Sequence, residues 1–271
     1  MGEKFDKISI RTLTTVIILP IILLIIYLGG KLYYGTIILL AILVFIELWH
    51  IVKHHDYQPS LMLGFILTAF FLFQEKILEL CPSYDVRAIF TLIFLLIISE
   101  HFLLKPKKSS IINIALTIFM AIYIGHFLSY FIEFLNLANG KVLLIFSLFC
   151  TWISDIVAYL IGVKFGKNHP YPYLSPNKTI EGTIAGIFGG GICALTFYSK
   201  LPLNIYIIFV LGIVSAISGQ IGDLFESLIK RNFGVKDSGT MIPGHGGVLD
   251  VIDSILFSIP TLYYIFKILI K

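Results

Sequence analysis

"SLIKRNFGVKDSGTMIPGHGGVLDVIDS", residues 227–254, lies between two apolar runs, 203–229 and 248–269. Lys230, Arg231, Lys236 and Asp237 fall within eight residues of it. A glycine-rich turn around His245 then leads to Asp250 and Asp253. Each flanking run matches the roughly 20 apolar residues a helix needs to cross a bilayer. Ions at the mouth of such a helix are costly unless they face a polar cavity or a partner. The stretch therefore reads as a functional polar loop joining two membrane helices, and the same reading extends outward.

Seven more apolar segments precede it, at 13–30, 33–52, 60–74, 86–104, 110–135, 141–163 and 179–199. The third is short for a span. The chain is 58% hydrophobic and 13% charged, against about a quarter charged in soluble domains. Backbone groups in lipid must be satisfied within a segment, and no barrel-type alternation is present, so the segments predict helices. The expected fold is an all-α polytopic integral membrane protein of about nine transmembrane helices. It forms one membrane domain, 1–271, with N-terminal helices over 1–140 for lipid binding or dimerisation. Catalytic helices and loops occupy 141–271.

The basic N-terminus and its long apolar run, with no A-x-A-like site before "KLYYG", read as a retained first helix rather than a signal peptide. With the N-terminus cytoplasmic, loop Lys and Arg divide thirteen inside against seven outside, which favours that orientation. Lys53, Lys105, Lys107 and Lys108 suit topology or lipid headgroups. The formal net charge of +4 needs no nucleic acid to explain it. Cys81, Cys150 and Cys193 have no metal-type spacing and read as buried apolar residues. His50, His54 and His55 read as interfacial, and His101 and His126 as helix-packing groups.

In this topology the ends of four late segments bring acids and bases to the cytoplasmic face. Asp155, Asp223, Glu226, Asp250 and Asp253 all lie near such ends. Asp250 and Asp253, three apart, share a helix face and would repel if both were ionised. A divalent cation held by carboxylates, water and phosphate removes that repulsion. Capping competes as a reading for Asp250 and Asp253, but not for Asp223 near a helix C-terminus. Asp155 reads equally as metal ligand, substrate contact or ion-pair partner. Lys178, Lys230, Arg231 and Lys236 around the same acids suit a polyphosphate. "PGHGG" offers amides to an anion, and His245 a donor or proton carrier. In "SPNKTIEGT", Ser175 or Thr179 caps a helix and Lys178 with Glu181 reads as an ion pair. The small residues of "GTIAGIFGGGICA" predict close helix packing.

Together these motifs resemble the phosphatidate cytidylyltransferases, the CDP-diacylglycerol synthases. The residues that carry the resemblance are Ser227, Lys230, Arg231, Lys236, Asp237, Ser238, His245, Gly246, Gly247, Asp250 and Asp253, with "SPNKTIEG" and "GDLFES" upstream. One position departs: the family has Arg after Asp250, and this chain has Val251. The resemblance implies transfer of CMP from CTP to phosphatidate, with pyrophosphate released, at the cytoplasmic face of a bacterial inner membrane. It implies Mg²⁺ on Asp223 and Asp250, with Asp253 and Asp155 as further metal candidates and a second cation such as K⁺. Lys178, Lys230, Arg231 and Lys236 would hold phosphates, His245 would orient one, and Asp237 would position Lys236 or touch the nucleotide. Ser175, Glu181, Gly246 and Gly247 complete the implied substrate contacts, and a homodimer is implied by resemblance alone. The competing class is an ion-coupled transporter, which requires repeat symmetry and midplane sites.

Overall fold

The computed structural model describes residues 2–53, 55, 57–80, 85–104 and 109–269, without the side chains of 2–12, 86 and 104. Cys81, His54, Lys105, Lys107, Lys108 and Lys271 lie outside the described residues, as do the side chains of Lys4, Lys7 and Arg11. Ten α-helices follow in order: α1 Gly2–Leu28, α2 Gly30–Lys53, α3 Leu61–Leu80, α4 Val86–Ser99, α5 Ser110–Ala121, α6 Phe127–Phe134, α7 Gly140–Phe165, α8 Ile180–Leu195, α9 Ile205–Asn232 and α10 Leu249–Leu269. A π-helical segment, Glu100–Leu104, extends α4, and another, Ile122–His126, joins α5 to α6. No strand occurs among the described residues. Among the described residues, six helical stretches are long and apolar enough to cross a membrane: α2, α3, α5 through α6, α7, α9 and α10. Leu13–Leu28 and α8 are apolar but shorter. The chain is an all-α membrane protein.

The third segment is longer than the sequence suggests. Helix α3 runs 20 residues, past Gln74, Glu75 and Lys76 to Leu80. A Lys76–Glu79 ion pair of 2.8 Å, three residues apart, supports its last turn. The polar residues that look like an end are therefore the helix's outer turns.

The chain divides into two compact units, residues 34–129 and residues 1–33 with 130–271. In the first unit, Leu67, Phe70, Ile93, Ile97 and Ala121 form a core. Polar contacts tie the segment before α3 to α5: Ser60 N–H donates to Thr117 Oγ1 at 3.0 Å, and Gln58 N–H to Asn113 Oδ1 at 2.9 Å. His101 is buried with Nδ1 3.0 Å from the Ile97 carbonyl.

The second unit carries the site. Glycines line the seam where α7, α8 and α9 meet, as interhelical packing in lipid favours. A Cβ on Gly190 would stand 2.9 Å from the Gly212 carbonyl and 3.1 Å from that of Cys150. Gly190→Ala is therefore expected to force the helices apart and cost about 1–3 kcal/mol. The check is a lowered thermal-unfolding midpoint; an unchanged midpoint would refute the tight seam. Hydroxyls join α7, α9 and α10, with Thr151 Oγ1 2.8 Å from Ser258 Oγ and 3.0 Å from Ser215 Oγ. Phe134, Phe146, Tyr263 and Phe266 pack edge to face beside them. At the turn into α2, Gly29 adopts φ +65°, which suits glycine at a helix C-terminus. Lys141 donates to the Tyr27 carbonyl there at 2.6 Å, satisfying an end-of-helix acceptor.

Candidate active site

Residues 223, 226 and 230 recur at spacings of three and four, so α9 presents Asp223, Glu226 and Lys230 on one face. Helix α7 contributes Asp155 and α10 contributes Asp253. Asp253 feels the charges of Asp223, Glu226 and Asp155 together. Two lysines enter this acidic cluster. Lys178 Nζ sits 2.8 Å from Asp223 Oδ2. Lys230 Nζ is ion-paired with Glu226 and lies 2.6 Å from Asp250 Oδ1. Glu226 is fully buried, and neither of its oxygens has a well-aligned hydrogen bond among the described residues. The sequence signal for Glu226 is its spacing from Asp223 and Lys230.

Asp250 organises the loop after α9. Its Oδ2 accepts from Ser238 N–H at 2.8 Å, Ser238 Oγ–H at 2.9 Å and Gly247 N–H at 2.7 Å. Gly246, at φ +117°, shapes the turn that aims the Gly247 amide at it. With Lys230 on Oδ1, both oxygens of Asp250 are engaged. Asp253 instead faces the acids, with Ser254 N–H on its Oδ1 at 2.6 Å.

Arg231 is turned to the backbone: Nε donates to the Leu174 carbonyl at 3.2 Å and Nη1 to that of Val235 at 2.9 Å. It ties the end of α9 to the "YLSP" loop. Lys236 and Asp237 are exposed, with no ion pair to either among the described residues. His245 Nδ1 is buried without a hydrogen-bond partner among the described residues. Val251 is partly buried.

Upstream, Thr179 caps α8, accepting from Gly182 N–H at 3.1 Å, and Ser175 does not cap. Lys178 and Glu181 are not an ion pair. The helix begins between them, so Lys178 points to Asp223 while Glu181 turns to the end of α7. Glu181 accepts from Asn168 Nδ2 at 2.7 Å and from the Lys167 amide at 3.1 Å. It holds the α7–α8 connection.

A cavity of about 790 Å³ opens among α7, α8 and α9 and the 166–179 loop. Asp155, Asn177, Lys178, Asp223 and Gln220 are among its polar lining, and Val163, Ile187, Ile217 and Ile221 among its apolar lining.

Five carboxylates, Asp155, Asp223, Glu226, Asp250 and Asp253, thus face two ammonium groups, Lys178 and Lys230. If all were ionised, three negative charges would remain unbalanced. Among the described residues no three side chains of Asp, Glu, His or Cys converge on one ion-sized point. The all-oxygen chemistry and the charge excess nevertheless suit a hard divalent cation sharing its shell with water and phosphate. Asp155, Asp223 and Asp253 bear on one another by charge, while Asp250 is engaged by its four donors.

The cytidylyltransferase family model matches residues 9–269. Phosphatidate cytidylyltransferase of Staphylococcus epidermidis is 34% identical over 262 residues, covering 94% of this chain and 97% of that protein. The proteins of that name from Staphylococcus aureus and Staphylococcus haemolyticus are 33% and 31% identical, with the same coverage. The chain belongs to the cytidylyltransferase family and is a nucleotidyltransferase enzyme.

Proposed function

We propose that the chain is a phosphatidate cytidylyltransferase, moving CMP from CTP to phosphatidate. A phosphate oxygen of the lipid attacks the α-phosphorus of CTP, a new P–O bond forms, the bond to the β-phosphate bridge breaks, and pyrophosphate leaves. The observation that carries this reading is the meeting of acids on three helices with Lys178 and Lys230 beside an amphipathic cavity. A lipid phosphate is already nucleophilic, so the protein's task is to position and to neutralise.

Bound Mg²⁺ would offset phosphate charge and polarise the transferred phosphorus. Asp223 leads its proposed ligands, with Asp155 and Asp253 beside it. Asp250 would be a further ligand if Lys230 left its Oδ1 for a phosphate. A second cation such as K⁺ suits the remaining negative charge. Lys178 and Lys230 exchange carboxylate partners for substrate phosphates. Lys236 reaches CTP from the loop, and Asp237 steadies it. His245 Nδ1 and the Gly246 and Gly247 backbone meet a phosphate. Arg231 and Glu181 act by holding the loops that carry Ser175 and Lys178.

We further propose nine spans with the N-terminus in the cytoplasm and the site at the cytoplasmic face of a bacterial inner membrane. There, water-borne CTP meets a membrane-borne lipid. Helices of 1–140 would meet lipid and pair two copies.

Purified protein in detergent, given CTP, phosphatidate and Mg²⁺, is expected to form CDP-diacylglycerol and pyrophosphate in equal amounts. Chelation should stop both and Mg²⁺ restore both. Folded protein that yields neither product would overturn the assignment; ion movement without product would favour a transporter.

A further inference from the structure

We infer that α1 braces the glycine-rich loop, with Thr14 as a positioning residue for the turn that carries His245; the inference rests on the role proposed above for that turn. Helix α1 and the 238–247 loop stand at opposite ends of the sequence, yet both belong to the same compact unit. Thr14 Oγ1–H donates to the Pro243 carbonyl at 3.0 Å.

The turn that Thr14 meets is a small closed ring. Ile242 N–H donates to the Gly246 carbonyl at 2.8 Å, and the His245 and Gly246 amides both donate to the Ile242 carbonyl at 3.0 Å. The carbonyls of Ile242 and Gly246 thus close the ring, and that of Pro243 turns outward to α1. Gly244 at φ +79° and Gly246 at φ +117° allow so tight a turn but bring no side chain to anchor it. Met241, Pro243 and Gly244 are exposed. On its other side the ring lies against the site. A Cβ on Gly246 would stand 2.5 Å from Asp250 Oδ2, the oxygen that accepts from the Gly247 amide. The ring therefore has a tie on each side, to Asp250 through Gly247 and to α1 through Thr14. Without the second tie it is free to swing about the Gly246–Gly247 link, and His245 moves with it.

The brace is itself held at two heights. Lys141 holds the Tyr27 carbonyl, about 20 Å along α1 from Thr14 at 1.5 Å per residue. Pro20 lies between the two ties and removes one bond of the helix ladder, so the outer tie does not fix the inner half. Leu13, Val16 and Ile17 are exposed, so packing against the rest of the protein does little to fix it either. The Thr14–Pro243 bond is thus what sets the inner half of α1 and the ring against each other.

The test uses the full chain in lipid nanodiscs. Thr14→Val keeps the branched shape and loses the donor, whereas Thr14→Ser keeps the donor. Without substrate, amide exchange in peptides covering 241–248 is expected to quicken about threefold or more in Thr14→Val and to match the parent in Thr14→Ser. The kcat/KM for CDP-diacylglycerol formation should fall about three- to tenfold in Thr14→Val, as loss of one hydrogen bond allows, and recover in Thr14→Ser. In a His245→Ala background Thr14→Val should cost less than about twofold, because its effect runs through the turn. Thr14→Ala serves in the same comparisons should Thr14→Val fail to fold. An equal loss with and without His245 would overturn the inference, since Thr14 would then act on the fold at large. Parent-like exchange and activity in Thr14→Val would remove the brace and spare the proposed function. Faster exchange in Thr14→Val, with no product from the parent under any condition, would spare the brace and sink the function.

Discussion

Asp223→Asn is expected to lower turnover by about 10²–10³-fold while leaving the protein folded. Asparagine keeps the shape of the side chain and removes its charge. The carboxylate is the only α9 acid of the cluster that also lines the cavity. It holds Lys178 at 2.8 Å and adds to the field at Asp155 and Asp253. Losing it removes an oxygen ligand from the proposed cation site and releases Lys178 from its resting partner. The fold should tolerate this, because the Asp223 side chain is 33% exposed and Lys178 still feels Asp155. CDP-diacylglycerol formation with saturating Mg²⁺ measures the first effect and the unfolding midpoint the second. Turnover within threefold of the parent would remove Asp223 from the chemistry. A collapsed midpoint would make the residue structural instead.

Much of this site is legible in the sequence, because acids and bases within apolar helices stand out from their surroundings. Asp223, Glu226 and Lys230 follow helical spacing, so one local rule puts them on one face. The glycine seam of α8 is equally local. Partner choice is not local. Lys178 and Glu181 are three apart, yet the start of α8 falls between them and sends one to α9 and the other to the loop after α7. Asp250 reads as a metal ligand from spacing alone; four donors, three of them from the 238–247 loop, become visible only once that loop is folded. Arg231 likewise looks like a phosphate group until the Leu174 and Val235 carbonyls are in place. The end of α3 was hidden for another reason. Hydropathy marks where lipid contact ends, not where the helix ends, and Lys76 with Glu79 prolongs the helix beyond it.

Lys230→Met is expected to destabilise the protein by about 3–5 kcal/mol, the usual cost of stranding a buried charge. Lys230 is the one ammonium in contact with both Glu226, which is fully buried, and Asp250, whose side chain is 8% exposed. Methionine keeps the bulk of the stem and removes the charge, so two carboxylates are left facing each other. The expected fall in the thermal midpoint is on the order of 10 °C. Loosening of Asp250 should also free the 238–247 loop, so protease cutting there should rise. A second substitution separates this account from a pure phosphate-binding role. Adding Glu226→Gln to Lys230→Met takes away the stranded charge and should recover more than half of the lost midpoint, while activity stays low. If Lys230 served substrate alone, Lys230→Met would unfold at the parent temperature and Glu226→Gln would rescue nothing. A midpoint shift under 2 °C would therefore overturn the structural half of its role, and full activity in the single variant would overturn the other half.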